Sequence, residues 1–443
     1  MTVFGSGSEN WKEPSSPRNN GIMHTRREFL AGAIPIIAFK NDTLRLVESL
    51  IAKTGEVSAE DEQFWMQIQE AFTLDRTMIN FNNGGVCPSP RVVQDALIRY
   101  LQYQNQAPSF FMWRNLEPEI ESVRKRLARA FGCDGEEIAI TRNASEALEI
   151  CLNGFDLKPG DEILTTNQDY PRMITTIKQR ELREGVKMVQ VNPPPTPKTQ
   201  QELLRAIENG ITEKTKLILI CQVIFMTGQI YPVRDICRMA AKRNIPVIVD
   251  GAHAFAQFPF LQSDLECEFY GTSLHKWLMA PIGTGMLFVK NSRIETLWPL
   301  MAANKEQAKD IRKFEEIGTH PAANHNAIAE ALTFHELIGP QRKAERLRYL
   351  RSRWTTKLIN EPKVHFTTNL SPEHSCGITT VNISGIKSAD LAAWLWDKHR
   401  IFVTTIAHDQ FEGIRVTPNV YTTLDEIDRF SAAMLTAAKQ GIA

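Results

Sequence analysis

The chain has 443 residues, 43% hydrophobic and 23% charged, long enough for more than one domain around a sizeable core. Its 51 basic and 51 acidic side chains cancel, so no global field draws in nucleic acid or an anionic membrane, and binding must come from a local site. Seven cysteines, at positions 87, 133, 151, 221, 237, 267 and 376, form no Cys-x-x-Cys pair, which argues against a zinc module and a disulfide scaffold and reads them as small buried hydrophobes.

Residues 1–24 are polar and rich in Ser, Asn and Pro. Arg26-Arg27 then lead into the short apolar run Ala31–Phe39. A basic pair ahead of such a run resembles a twin-arginine export signal, and the run is too short to span a bilayer. Residues 1–42 are therefore expected to stand outside the fold. The expected partner is the twin-arginine (Tat) export machinery, without stable membrane insertion, and the expected location is the periplasm or another exported compartment, with the cytoplasm as the alternative. That pathway carries folded proteins, which suits an enzyme that acquires a cofactor before leaving the cytoplasm.

Beyond residue 43 the pattern alternates. Apolar, β-branched runs at 137–141, 162–165, 186–191, 216–221, 246–249 and 285–289 are separated by helical stretches such as 145–152, 171–184 and 233–243. Strand, helix, strand repeated predicts an α/β fold with a mostly parallel sheet and helices on both faces. The proline-rich break at 192–197 is a surface connection, because the alternation resumes after it. After Ala327 a single long charged helix is expected to run to Trp354. Strand-like segments at 377–383 and 413–417, with helices at 388–399 and 424–439, then predict a smaller α+β C-terminal domain. The expected organisation is a segment 43–87 packing with the small domain, a large domain 88–326 and the small domain 327–443.

Several positions carry chemistry, in chain order. Thr141-Arg-Asn-Ala144-Ser145-Glu146 joins a strand to a helix, so the first helical N–H groups at Ala144 and Ser145, the Ser145 hydroxyl and the helix dipole converge on a spot suited to phosphate. An ordinary N-cap is the competing reading. Tyr170 opens the loop after the next strand and can lie against a flat ring, although an aromatic there also serves core packing. Asp250 ends the apolar run 245–249, where a carboxylate is costly to bury without a cationic partner; a pyridinium N–H is one. His253 reaches toward the same ring and its phenolic oxygen. Ser273 and His275 alternate along an extended segment, so both can face phosphate. Lys276 is flanked by Trp277, Leu278 and Met279, surroundings that lower an amine's pKa and favour the nucleophilic neutral form. An amine that forms a Schiff base with an aldehyde, together with an acid that keeps a pyridine nitrogen protonated, supplies both ends of a pyridoxal 5′-phosphate (PLP) site.

Asn143-Ala-Ser-Glu, Asp250-x-x-His253, Ser273-x-His275-Lys276 and Gly283-Thr-Gly285 together resemble, in order and spacing, the class V aminotransferases of PLP fold type I. The resemblance runs from about Asn82 to Tyr421. It implies a mostly parallel seven-stranded sheet and makes Lys276 the catalytic, cofactor-bearing lysine and Asp250 the partner of the ring nitrogen. Ser145, Ser273 and His275 would hold phosphate, and Tyr170 would stack on the ring. Thr319, in Gly318-Thr319-His-Pro321, would reach the phosphate of a neighbouring subunit, which implies a homodimer with shared sites. Arg415 would clamp a substrate α-carboxylate through its bidentate fork, with Asn83, in Asn82-Asn83-Gly84-Gly85, as a second substrate contact. Two positions depart from many relatives. The stretch 406–412 lacks the mobile cysteine that desulfurases use, and Phe225 stands where an asparagine bonds the phenolic oxygen, a contact His253 would take over. The motifs look most like the isopenicillin N epimerase-like branch. The expected reaction on an amino acid or peptide-like amine is amino transfer, with epimerisation or β-elimination as alternatives. A non-catalytic PLP-fold protein would tolerate loss of Lys276 or Asp250, and both are present. A metal hydrolase built on His320 and His325 lacks the usual ligand spacing, so no metal is expected.

Overall fold

The computed structural model describes residues 58–442. The expectations for residues 1–42 and for residues 43–57 lie outside the described residues.

The six runs, together with the segment just before Lys276, become seven strands of one sheet in the order β2-β8-β7-β6-β5-β3-β4. These are β2 (Ile138–Thr141), β3 (Glu162–Thr166), β4 (Lys187–Val191), β5 (Thr215–Cys221), β6 (Val247–Asp250), β7 (Phe269–Ser273) and β8 (Gly285–Val289). β7, β6, β5, β3 and β4 pair in parallel, and β8 alone runs antiparallel to its neighbours β7 and β2. β2, β6, β7 and β8 are buried along their whole length, which is why they read as unbroken apolar runs rather than as alternations. Helices Ala144–Gly154, Pro171–Glu184 and Val233–Ala241 connect them and bury their apolar faces against the sheet. The fold is that of PLP fold type I.

The strand register brings the ends of β6 and β7 together at the site. The parallel register sets Asp250, the last residue of β6, opposite Gly271 of β7 and next to Cys221 of β5. Ligands in open α/β sheets gather at these carboxyl ends.

The charged stretch after Ala327 is two helices, Ile328–Ile338 and Pro340–Leu358, not the one expected. Gly339 separates them at φ +86°, a left-handed conformation that glycine adopts without strain, and Pro340 starts the second helix because it has no N–H to donate backwards. A second, antiparallel sheet has the order β12-β13-β10-β9: β9 (Val364–Phe366), β10 (Thr379–Ile383), β12 (Thr404–His408) and β13 (Phe411–Val416). It is backed by helices Ser388–His399 and Leu424–Gln440. The early strand β1 (Ile79–Asn80) pairs in parallel with β11 (Ile401–Phe402), and Asn82 bridges to Thr417 just beyond β13. That pairing carries the glycines 84 and 85 to the mouth of the site. No helix among the described residues is long and apolar enough to cross a membrane.

Candidate active site

A cavity of about 410 Å³ lies where the strand ends of the large sheet meet β12 and β13. Its walls include Ala144, Ser145, Tyr170, Asp250, His253, Ser273, His275, Lys276 and Arg415, all named from sequence.

One end is built by the start of helix Ala144–Gly154. The Asn143 side chain caps it by accepting from the Glu146 amide at 2.9 Å, and the Ala144 amide donates to Ser273 Oγ at 3.0 Å. That bond joins helix to β7 and commits the Ala144 N–H, leaving Ser145 as the next donor on the cavity wall. The approach is close: a Cβ on Gly285 would lie 2.6 Å from the backbone of Asn143. His275 spends Nδ1 on the Thr284 carbonyl at 3.1 Å, which leaves Nε2 uncommitted. A capped helix start, two hydroxyls and an imidazole thus meet at one end of the cavity, a donor set of the kind that suits phosphate.

Asp250 closes the other end. It is 5% exposed and accepts from the Ala252 amide at 2.9 Å and from the Cys221 thiol at 3.7 Å. Burial first, and then the nearby Asp169 charge, push its carboxyl up to about 6, against the pull of Ala252 and Lys276. Asp169 is itself buried, accepting from Thr165, from both the amide and hydroxyl of Thr166, and from the Cys221 amide at 2.7 Å. Sequence reading missed Asp169 and Cys221; Asp169 immediately precedes Tyr170, but only the folded register of β5 shows what it holds.

Lys276 Nζ lies 3.2 Å from His253 Nε2. Burial pulls the amine down to about 8, opposed by Asp250, while burial and then Lys276 itself keep His253 well below its usual value and therefore neutral. The imidazole then accepts from the amine through Nε2, and its Nδ1 is buried without a partner among the described residues. Arg415 is also buried. Its guanidinium donates to the Phe225 carbonyl at 3.0 Å and to Asn82 Oδ1 at 2.7 Å, and its Nε has no partner among the described residues. Orphaned polar atoms at His253 and Arg415, a buried acid at Asp250 and the donor set at Ser145 and Ser273 fit a charged heterocycle carrying phosphate.

One expectation is modified. Asn83 does not line the cavity: its amide donates to the carbonyls of Asn80 and Thr417, and its oxygen accepts from the Tyr421 hydroxyl, so its neighbour Asn82 is the one that meets Arg415. Thr319 is exposed and is not part of this chain's own cavity. The stretch 406–412 lies on the tight hairpin between β12 and β13, and Thr404, Thr405 and Ile406 form a wall that the sequence did not single out. Tyr170 keeps its place on the wall but is 39% exposed, its ring edge-on to Phe225 at 5.5 Å.

Residues 79–430 match the model of the family "Aminotransferase class-V". The chain belongs to that family. Its cofactor is pyridoxal 5′-phosphate. This class V chain is 28% identical over 387 residues to an isopenicillin N epimerase of Streptomyces clavuligerus, covering 84% of the chain and 97% of the relative. It is 24% identical over 400 residues to a hercynylcysteine sulfoxide lyase of Schizosaccharomyces pombe, covering 85% and 97%. Among solved structures it superposes with TM-score 0.71 on a lysine-to-alanine mutant of C-DES that holds glycine covalently linked to the PLP cofactor. The two share 24% identity, over 81% of this chain and 98% of that one, a likeness of fold.

Proposed function

We propose that this PLP enzyme removes the α-proton of an amino acid or peptide-like amine and epimerises the α-carbon. Amino transfer, expected first from sequence, takes second place, because the similar proteins named above are an epimerase and a lyase. The observation that carries the reading is Arg415, a buried guanidinium that lines the same cavity as Lys276. Such a group is matched by a carboxylate, which would set the α-carbon beside the amine.

When bound, the cofactor supplies an electron-withdrawing ring that acidifies the α-C–H. Asp250 would hold a proton at the ring nitrogen, and the cradle of Ser145, Ser273 and His275 would hold phosphate. Lys276, with its amine lowered to about 8, gains its neutral, basic form as pH rises through that value, well below an ordinary lysine, and His253 accepts a hydrogen bond from it and fixes its direction. Cysteine desulfuration is not favoured. The cavity-lining thiol, Cys221, is driven well up by burial, and no cysteine stands on the β12–β13 hairpin.

The exposed Thr319 supports a homodimer in which it serves the neighbouring subunit's site; sedimentation at micromolar concentration would show a monomer if this is wrong. Export rests on Arg26-Arg27 ahead of the apolar run, and cell fractionation of an Arg26→Lys, Arg27→Lys double variant tests it: unchanged location rejects the reading.

The deciding experiment incubates the holoenzyme in D2O with a panel of L- and D-amino acids and short peptides. Deuterium at Cα with loss of optical activity is expected. Conversion to the pyridoxamine form with a keto acid would mean amino transfer instead, and ammonia with a β-eliminated fragment would mean a lyase.

A further inference from the structure

Lys343, on helix Pro340–Leu358, is fully buried, and no role assigned above uses it. Its Nζ donates to the backbone carbonyl of Trp277, the residue after Lys276. The groups around it are the thiols of Cys87 and Cys376 and the imidazole of His335, on the preceding helix; all are buried, and among the described residues no carboxylate pairs with it. Burial pulls the Lys343 amine down to about 7. An unpaired buried amine is costly, and an apolar side chain of the same length would fill the space at less cost to folding.

What the amine holds is a strained turn. The Lys276 carbonyl accepts from the Met279 amide at 3.1 Å, the Ala280 amide returns to the Leu274 carbonyl at 3.1 Å, and Met279 sits at φ +61°, a conformation non-glycine residues seldom adopt. The other side is tied by the Cys87 amide, which donates to the His275 carbonyl at 3.1 Å. Strain of this kind persists only where surrounding contacts over-determine it.

We infer that Lys343 is a positioning residue for Lys276: a buried N–H donor that fixes the turn after Lys276 and with it the direction in which the Lys276 amine enters the cavity. The inference rests on the reading that Lys276 carries the cofactor and is independent of which product forms.

The test compares Lys343→Met with Lys343→Gln in the holoenzyme, reading melting temperature, visible circular dichroism of the bound cofactor and turnover per bound cofactor. The Met variant is expected to melt at or above the wild-type temperature while its cofactor band weakens. Its turnover should fall by about tenfold or more with KM little changed. The Gln variant, which keeps an N–H donor without the charge, should recover most of both signals. The inference is overturned if the Met variant keeps the wild-type band and turnover, if it yields no folded protein, or if Gln is as defective as Met. A normal cofactor band in every variant with none of the proposed products would instead reject the functional reading.

Discussion

Arg415 shows how a single side chain is tuned by where it is held. Its fork is already half spent on Phe225 and Asn82, so the orientation of the remaining N–H is set before any ligand arrives. Arg415→Lys keeps the charge and loses the fork. At about 2 kcal/mol for a charged hydrogen bond, KM for the carboxylate substrate should rise roughly thirtyfold with kcat less affected, measured by steady-state kinetics. Lys276 makes a pH prediction. Burial lowers its amine to about 8, so the neutral, nucleophilic form is lost as pH falls through that value. Cofactor capture by the apo-protein, followed by absorbance, should be near its plateau above about pH 8 and slow by roughly tenfold per unit below it. A capture rate that is flat from pH 6 to 9 would contradict this.

At the scale of elements, the site depends on helix Ala144–Gly154 starting hard against β8. The carbonless side of Gly285 permits this, because a Cβ there would sit 2.6 Å from Asn143. Gly285→Ala should push the helix start away from Ser273, weaken cofactor binding by about tenfold and cost roughly 1–3 kcal/mol of stability, as overpacking does. Titration of the apo-variant with PLP and a melting curve check both. The strands of the large sheet were legible in the sequence because burial on both faces writes an unbroken apolar run. β12 was not, although most of its partner β13 was: β12 mixes exposed, half-buried and buried positions, and the turn after it carries Asp409 and Gln410, so the stretch reads as a polar loop. The break at Gly339-Pro340 was readable from residue chemistry alone, but charge before and after it suggested one continuous helix.

For the molecule as a whole, cofactor and fold are linked. A ligand that binds the folded protein alone stabilises it by about 2.7 kcal/mol at a hundredfold excess over its Kd. Thermal melting of apo- and holoenzyme should therefore separate by several degrees, and the gap should shrink in the Asp250→Asn variant, where the ring nitrogen loses its acid. Equal melting temperatures with and without PLP would mean the cavity does not take the cofactor.

The amino-acid order by itself determined the large sheet and the chemistry along its edge, because buried strands and the polar residues that end them leave local marks: Asp250 after its apolar run, Ser273, His275 and Lys276 in one extended stretch. The tertiary structure alone decided which of two adjacent asparagines meets Arg415, why Asp169 matters, and that Lys343 lies behind Lys276. Those contacts join residues 52 to 333 positions apart, and no local pattern encodes them.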